Sequence, residues 1–289
     1  MTPEHQWPDH TSHFREPWRP SDQYRDDAGG AILRESFVGY VDALGTADEL
    51  KTFDQVKLRE QLDVLAETRW FLGDKGGNDL PEGLLSFTDN IVVGTPRSPD
   101  MDDGGLALQV QTVSAYQHRM TLRRRFVRGG LTLGDFYMDS RLATGPALLE
   151  AVTLEHEVAT FPRIILSDSC AGLAMENGPW NAGDLIQAWN NLLLVDADGR
   201  VFVHYLANAI DAGPNGDQAW HESVLTDHRA ATLEGLATAA GNQRIREKYV
   251  WVANYHNFVC RELSHQDLLI DDVLSVMEHR FPRQFRSFA

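Results

Sequence analysis

What this 289-residue chain lacks narrows its chemistry first. It has only two cysteines, Cys170 and Cys260, far apart and in no CxxC or Cys/His spacing, so neither a disulfide framework nor a structural zinc site is expected. It lacks a basic surplus: 26 Lys and Arg stand against 42 Asp and Glu, a net charge of −16. Coating nucleic acid or an anionic membrane needs the opposite balance, so any phosphate handled here must meet local positive charge or a metal. No stretch approaches the ~18 consecutive apolar residues of a membrane helix. The opening Met1-Thr-Pro-Glu-His-Gln-Trp-Pro has neither a basic nor an apolar region of the kind that opens a signal peptide. These absences lead us to expect a soluble, reduced, cytoplasmic protein, and 43% apolar residues are enough for a globular core.

Along the chain, residues 1–30 carry four prolines, the histidines His5, His10 and His13, and few aliphatics, a composition that reads as a mobile arm rather than a metal site. From Arg34 the pattern changes. Glu35 to Gly45 reads as a buried strand, and Phe53 to Phe71 as an amphipathic helix. Gly83 to Gly94 forms two apolar arms around Asp89-Asn90, a hairpin with a polar tip. A helix over 106–122 follows, then a strand over Phe126–Gly134 with a hairpin return over Asp135–Ala143. A helix opened by Gly145-Pro146 runs to Val158, and Phe161–Asp168 is the next strand. This order predicts an α+β domain, an antiparallel sheet with helices packed on one face. Residues 31–170 form that core. Residues 171–289 read as a mostly helical C-terminal extension packed on it, with helices over Asn181–Leu194, Ala230–Tyr255 and Gln266–Glu278 and a strand over Arg200–Leu206.

Two carboxylates stand out. Asp42 lies at the end of an apolar strand and Asp89 at a hairpin tip beside another. A buried unpaired charge costs several kcal/mol, roughly, so Asp42 needs a cation, a metal or a helix N-terminus. Hard divalent ions held by one or two carboxylates plus substrate phosphates meet that need. Taken singly, each has a plainer reading: Asp42 caps the following turn, and Asp-Asn is an ordinary turn pair.

Four strings in order are more specific: Tyr40-Val-Asp-Ala-Leu-Gly-Thr46, Ser86-Phe-Thr-Asp-Asn-Ile-Val-Val93, Arg128-Gly-Gly-Leu-Thr-Leu-Gly134 and Gly145-Pro-Ala-Leu-Leu-Glu-Ala-Val152 followed by Glu155. Over about residues 34–168 the chain resembles the class III nucleotidyl cyclases, with their ferredoxin-like core. Within that superfamily it is most similar to the bacterial Pycsar pyrimidine nucleotide cyclases. The resemblance implies a lyase that converts UTP, or CTP, to the 3′,5′-cyclic monophosphate and diphosphate, a second-messenger synthase in antiphage defence. It implies two Mn²⁺ or Mg²⁺ ions on Asp42, Asp89 and the carbonyl of Ala43, triphosphate on the turn at Gly45 and Thr46, and Tyr40 beside the nucleotide. It also implies a homodimer with sites at its interface and a product that acts on a separate effector protein. Tyr40 is equally readable as a core aromatic.

The departures bear on mechanism. Purine cyclases of this class carry a Lys four positions before the second metal Asp, where this chain has Leu85, which fits a pyrimidine. The helix that usually bears an Asn and an Arg for the transition state has Leu149 and Thr153. Arg128 and Arg141 are candidates for stabilising phosphoryl charge, or else structural arginines, and Arg123-Arg-Arg125 attracts triphosphate or is a solvated helix end. Glu150, Glu155 and Glu157 form a further carboxylate group, with Glu150 and Glu157 near one helix face; a third metal ligand is one reading, and a solvated or dimer-facing helix surface is the favoured one. The alternative to catalysis is an inactive, cyclase-like nucleotide-binding or scaffolding module. Trp180, Trp189, Trp220 and Trp251 are expected to serve the core or an interface.

Overall fold

A computed structural model describes residues 21–45, 51, 54–71, 83–98, 104–177, 192–211, 218–270 and 286–287. The β-branched and aromatic run from Arg34 forms β1 (Arg34–Ala43), with Phe37, Val38 and Val41 buried. Helix α1 (Gln55–Phe71) starts where the Asp54 carboxylate accepts the N–H groups of Val56 and Lys57, a side-chain cap for orphan donors. β2 (Leu84–Phe87) and β3 (Asn90–Pro96) form the expected hairpin, followed by α2 (Gly104–Leu122). β4 (Val127–Met138) runs past the expected reversal at Asp135, and the return strand β5 is only Ala143–Thr144. Phe136, Tyr137 and Met138 are buried, and that burial keeps the chain extended beyond Gly134.

Helix α3 (Pro146–Thr153) passes into a wider π-turn (Leu154–Val158), closed by the Ala159 N–H on the Leu154 carbonyl at 2.8 Å. β6 (Ile164–Leu166) and α4 (Asp168–Asn177) come next. The nine strands among the described residues lie in one sheet, ordered β2-β3-β1-β4-β6-β8-β7-β9 with β5 on the flank of β4. All pairings are antiparallel except β4 with β6. Phe37 and Val41 pack with α1 and α2 residues such as Val64, Val110 and Val113 on one face. Val38, Tyr40 and Val92 point to the other, where Ala147 and Leu148 of α3 meet them. Gly130 permits that second contact, since a Cβ there would stand 2.5 Å from the Ala151 carbonyl oxygen.

Beyond residue 177 the sheet continues. Leu193–Val195, expected at the end of a helix, is β7, and it pairs with β8 (Val201–Val203) around the Asp196–Gly199 turn. Three leucines and a valine buried on a central sheet outweigh their helical propensity. Residues 181–191 of that expected helix lie outside the described residues. The strand expected over Arg200–Leu206 stops at Val203, and α5 (Tyr205–Asp211) follows. The long helix expected over Ala230–Tyr255 is two, α6 (Gln218–Thr238) and α7 (Gln243–Glu262), parted by a 3₁₀ turn at Ala239–Gly241. Asn242 ends the turn and caps α7 by accepting the Ile245 N–H. Of the last expected helix only the 3₁₀ turn Gln266–Leu268 is described before residue 271. Strand β9 (Arg286–Ser287) pairs with β7. Among the described residues no helix is long and apolar enough to cross a membrane.

The C-terminal helices are tied in by two polar devices. Arg163, fully buried, pairs with Asp196 and Asp198, and the Trp251 indole donates to Asp196 at 2.7 Å. Between α5, α6 and α7 runs a chain of buried hydrogen bonds: Tyr205 Oη to His228 Nε2 at 2.6 Å, His228 Nδ1 to His256 Nδ1 at 3.1 Å, and His256 Nε2 to the Leu268 carbonyl at 2.9 Å. A carbonyl only accepts, so His256 Nε2 carries the proton and its Nδ1 accepts from His228 Nδ1–H. His228 Nε2 then accepts from the Tyr205 hydroxyl, and both imidazoles are neutral. Burial pushes His256 down to about 4 and His228 well below the usual histidine range. Tyr255 adds a branch, its hydroxyl meeting His204 Nδ1 at 2.6 Å and accepting the Leu206 N–H at 3.1 Å. Trp220 and Trp251 both serve this region, Trp220 donating to the Ala209 carbonyl and Trp251 lying in its core; Trp180 and Trp189 lie outside the described residues.

Candidate active site

In β1, residues two apart share a face. Tyr40 and Asp42 therefore point with Val38 toward α3. Asp42 sits opposite Asn90 of β3 on one side and Arg128 of β4 on the other. The hairpin turns in two residues, Thr88 and Asp89, since Phe87 pairs with Asn90. Thr88 has a φ of 56°, uncommon for a β-branched residue, and that turn sets Asp89 beside the end of β1. Register thus brings together two carboxylates 47 positions apart in the chain.

Their electrostatics agree with that convergence. The Asp42 carboxyl is pushed up to about 6, first by burial, then by the charges of Glu155 and Asp89, against the pull of Arg128 and Lys248. The Tyr40 phenol is pushed up to about 12 by burial and by the same three carboxylates, so it stays protonated and able to donate. Arg128 lies 3.8 Å from Asp42 and its Nε is 2.6 Å from Glu155 Oε1. The latter pair lies off hydrogen-bond alignment, both atoms being without a directed partner among the described residues, so charge rather than a directed bond holds it.

Glu155 is the acid that sequence periodicity misassigned. Glu150 and Glu157 are exposed, whereas Glu155 on the π-turn is 4% exposed and turned into the site. A π-turn takes one more residue per turn than an α-helix, so the 3.6 period no longer describes residues after Leu154. Burial raises the Glu155 carboxyl, while Arg128, His156, Lys248 and a hydrogen bond with Asp42 oppose that rise. Two carboxyl groups hydrogen-bond to each other only when one carries a proton. Lys248, half-buried on α7, also escaped notice; no motif surrounds it, and it reaches Asp42, Glu155 and Arg128 only through the fold.

The other expected residues fall as follows. Gly45 stands in the turn two residues past β1 with a φ of 80°, a left-handed conformation that glycine adopts without strain. Thr46 lies outside the described residues, as do His5, His10 and His13. Ala43 is buried and pairs with Val127. Arg141 is exposed after β4, its N–H on the Asp139 carboxylate. Arg123 and Arg124 tie α2 to its neighbours, through Glu67 at 3.9 Å and Glu234 at 3.2 Å. Leu149 is 70% exposed, and the Thr153 hydroxyl donates to its own helix at Leu149.

The donor set suits a hard divalent cation. Asp42 and Asp89 are carboxylates at one sheet end, Ala43 follows with a backbone carbonyl, and the buried Oδ1 of Asn90, across from Asp42, has no hydrogen-bond partner among the described residues. All are oxygens, the ligands Mg²⁺ and Mn²⁺ favour. Among the described residues no group of three His, Cys, Asp or Glu side chains is disposed to hold a metal; Glu155, drawn to Arg128, adds no third ligand.

No family model and no curated protein matches this chain. Among solved structures, the adenylyl cyclase CyaB of P. aeruginosa is similar at a TM-score of 0.43 and 13% identity, over 59% of this chain and 93% of that one. A bacterial light-regulated adenylyl cyclase matches at 0.40 and 12%, over 60% and 91%. The guanylyl cyclase domain of the RhoGC fusion protein from Blastocladiella emersonii matches at 0.39 and 12%, over 60% and 98%. Likeness at this distance carries no argument about activity.

Proposed function

We propose that the protein is a nucleotide cyclase acting on a pyrimidine nucleoside triphosphate, UTP or alternatively CTP. The observation that supports this most is the convergence of Asp42 and Asp89 at one sheet end, with the Asp42 carboxyl pushed up to about 6 by burial and neighbouring acids. Such a site gains most from positive charge brought with a substrate. Asp42, Asp89 and the Ala43 carbonyl would hold two Mn²⁺ or Mg²⁺ ions, whose charge when bound lowers the pKa of the ribose 3′-hydroxyl and neutralises the triphosphate. In the reaction the 3′ oxygen bonds to the α-phosphorus, the bond to the β-phosphate oxygen breaks, pyrophosphate leaves with the electron pair, and the hydroxyl proton is released.

The chain's own residues divide the rest. Tyr40, protonated and on the Asp42 face, donates a hydrogen bond beside the nucleotide. The turn at Gly45 and Thr46 offers backbone N–H groups to phosphate oxygens. Arg128, 3.8 Å from Asp42, orients that carboxylate and spreads charge at the phosphoryl group. Leu85, where a purine-reading Lys would stand, lies half-buried across Val92 from Tyr40 and suits the smaller base. The protein would work as a homodimer with sites at the interface, and its cyclic product as an antiphage messenger acting on a separate effector.

A second reading, a nucleotide-binding module without turnover, draws on Leu149 and Thr153, neither of which offers transition-state chemistry. Incubating pure protein with each of the four NTPs and Mn²⁺ and resolving the products separates the two. Cyclic UMP or cyclic CMP, lost in Asp42→Ala, is the expected result. Cyclic AMP alone overturns the pyrimidine assignment, and tight NTP·Mn²⁺ binding without product selects the second reading.

A further inference from the structure

We propose that Lys248, on helix α7 of the C-terminal region, is a phosphate-binding residue of the same site, so that this region completes the site rather than merely adjoining it. The inference rests on the reading of the site as a triphosphate site and adds a residue to it.

The placement of Lys248 follows from the packing on either side of it. Its neighbour Tyr249 meets Phe126 edge-on, with ring centroids 5.4 Å apart. The Phe126 carbonyl accepts the Leu44 N–H at 2.8 Å, fixing the chain between Ala43 and Gly45. Three residues on, Trp251 stacks on Phe161 at 6.1 Å, just after the π-turn that carries Glu155. Helix α7 is thus pinned to Phe126, just before β4, and to Phe161, just past the π-turn, and at about 100° of rotation per residue the direction of Lys248 falls between those of Tyr249 and Trp251. It is half-buried and within electrostatic reach of Asp42, Glu155 and Arg128, with Arg244 one turn earlier on the same helix.

Charge says what such a lysine is for. Three carboxylates, Asp42, Asp89 and Glu155, face two cations, Arg128 and Lys248. Arg128 is engaged by Glu155 at 2.6 Å, which leaves the Lys248 ammonium as the cation better placed for an incoming anion. An ammonium is a compact point charge on a flexible stem, suited to a phosphate oxygen, and a helix anchored at Tyr249 and Trp251 holds it in place before substrate arrives.

The test is calorimetric titration of the intact protein with Mn²⁺ and inorganic tripolyphosphate, a probe that binds without reacting. Lys248→Met should bind it ten- to a hundredfold more weakly, the range for a charged hydrogen bond. Lys248→Arg should stay within a few-fold of wild type, and the control Glu262→Gln, at the exposed far end of the same helix, should not change binding. With a nucleotide, Lys248→Met should raise KM more than it lowers kcat. Where Lys248→Met lowers the melting temperature, Lys248→Gln provides the same readings. Unchanged tripolyphosphate binding by a folded Lys248 variant, or no binding by wild type, overturns the proposal. A wild type that makes no cyclic nucleotide overturns the cyclase reading instead, and the tripolyphosphate result still decides the role of Lys248.

Discussion

The carboxylate corner at the end of β1 and the histidine–tyrosine chain among α5, α6 and α7 both bury polar groups, yet only one of them is balanced. In the chain every imidazole nitrogen from His228 to His256 has a partner of the right sense, from the Tyr205 hydroxyl to the Leu268 carbonyl. In the corner, three acids crowd two bases, the Asn90 Oδ1 lacks a partner among the described residues, and the Asp42 carboxyl is raised by burial and by its neighbouring acids. A balanced buried network stabilises a fold. An unbalanced one costs stability and is the mark of a place built to receive something.

Replacing Asp42 by Ala should separate the two regions most sharply. Cyclic nucleotide formation should fall about a thousandfold or more, while unfolding in denaturant should show unchanged or slightly raised stability, because one of three crowded acids is gone. A large loss of stability would make the corner structural.

Acid should attack the other region. Burial holds His204 at about 3 and His256 at about 4, below the ordinary 6.5. Between those values and 6.5 the unfolded chain takes up protons that the folded one refuses. Stability should therefore fall as pH drops from 6.5 toward 4, by up to about 1.4 kcal/mol per pH unit for each histidine. Above pH 6.5 these residues should add no slope. Melting curves between pH 4 and 8 check this, and a flat profile would mean that the histidines are not buried neutral.

Tyr255→Phe deletes the hydroxyl shared by His204 and Leu206 and should cost about 1–3 kcal/mol with no change in KM for nucleotide. A shift in KM would couple the two regions more tightly than their hydrogen bonds suggest. The smallest effect is expected from Thr88→Gly, which relieves a left-handed φ of 56° at the hairpin tip. It should add about 0.5–1 kcal/mol of stability and change product formation by no more than a few-fold.

Much of the core was legible in the residues. The β-branched and aromatic run from Phe37 to Val41 marked β1, the polar Asp89-Asn90 between two apolar arms marked a hairpin whose turn falls one residue earlier, and Gly145-Pro146 opened a helix, because each is a local signal of composition or turn chemistry. The C-terminal half was less legible. Leu193–Val195 reads equally as helix or strand, and only its pairing with β8 decides. The break between α6 and α7 rests on a single capping Asn242, a weak signal inside a long helical pattern.

By itself, then, the sequence determined that two acids close apolar strands in a chain too acidic to hold phosphate on surface charge, and so it pointed to Asp42 and Asp89. Only the tertiary structure decided which other charges join them. Glu155 enters because a π-turn shifts the helical period, Arg128 because β4 pairs with β1 in a register that sets it opposite Asp42, and Lys248 because α7 packs against Phe126 and Phe161. Register, helix bulges and packing between distant segments are properties of the assembled sheet and helices, and no local pattern of residues encodes them.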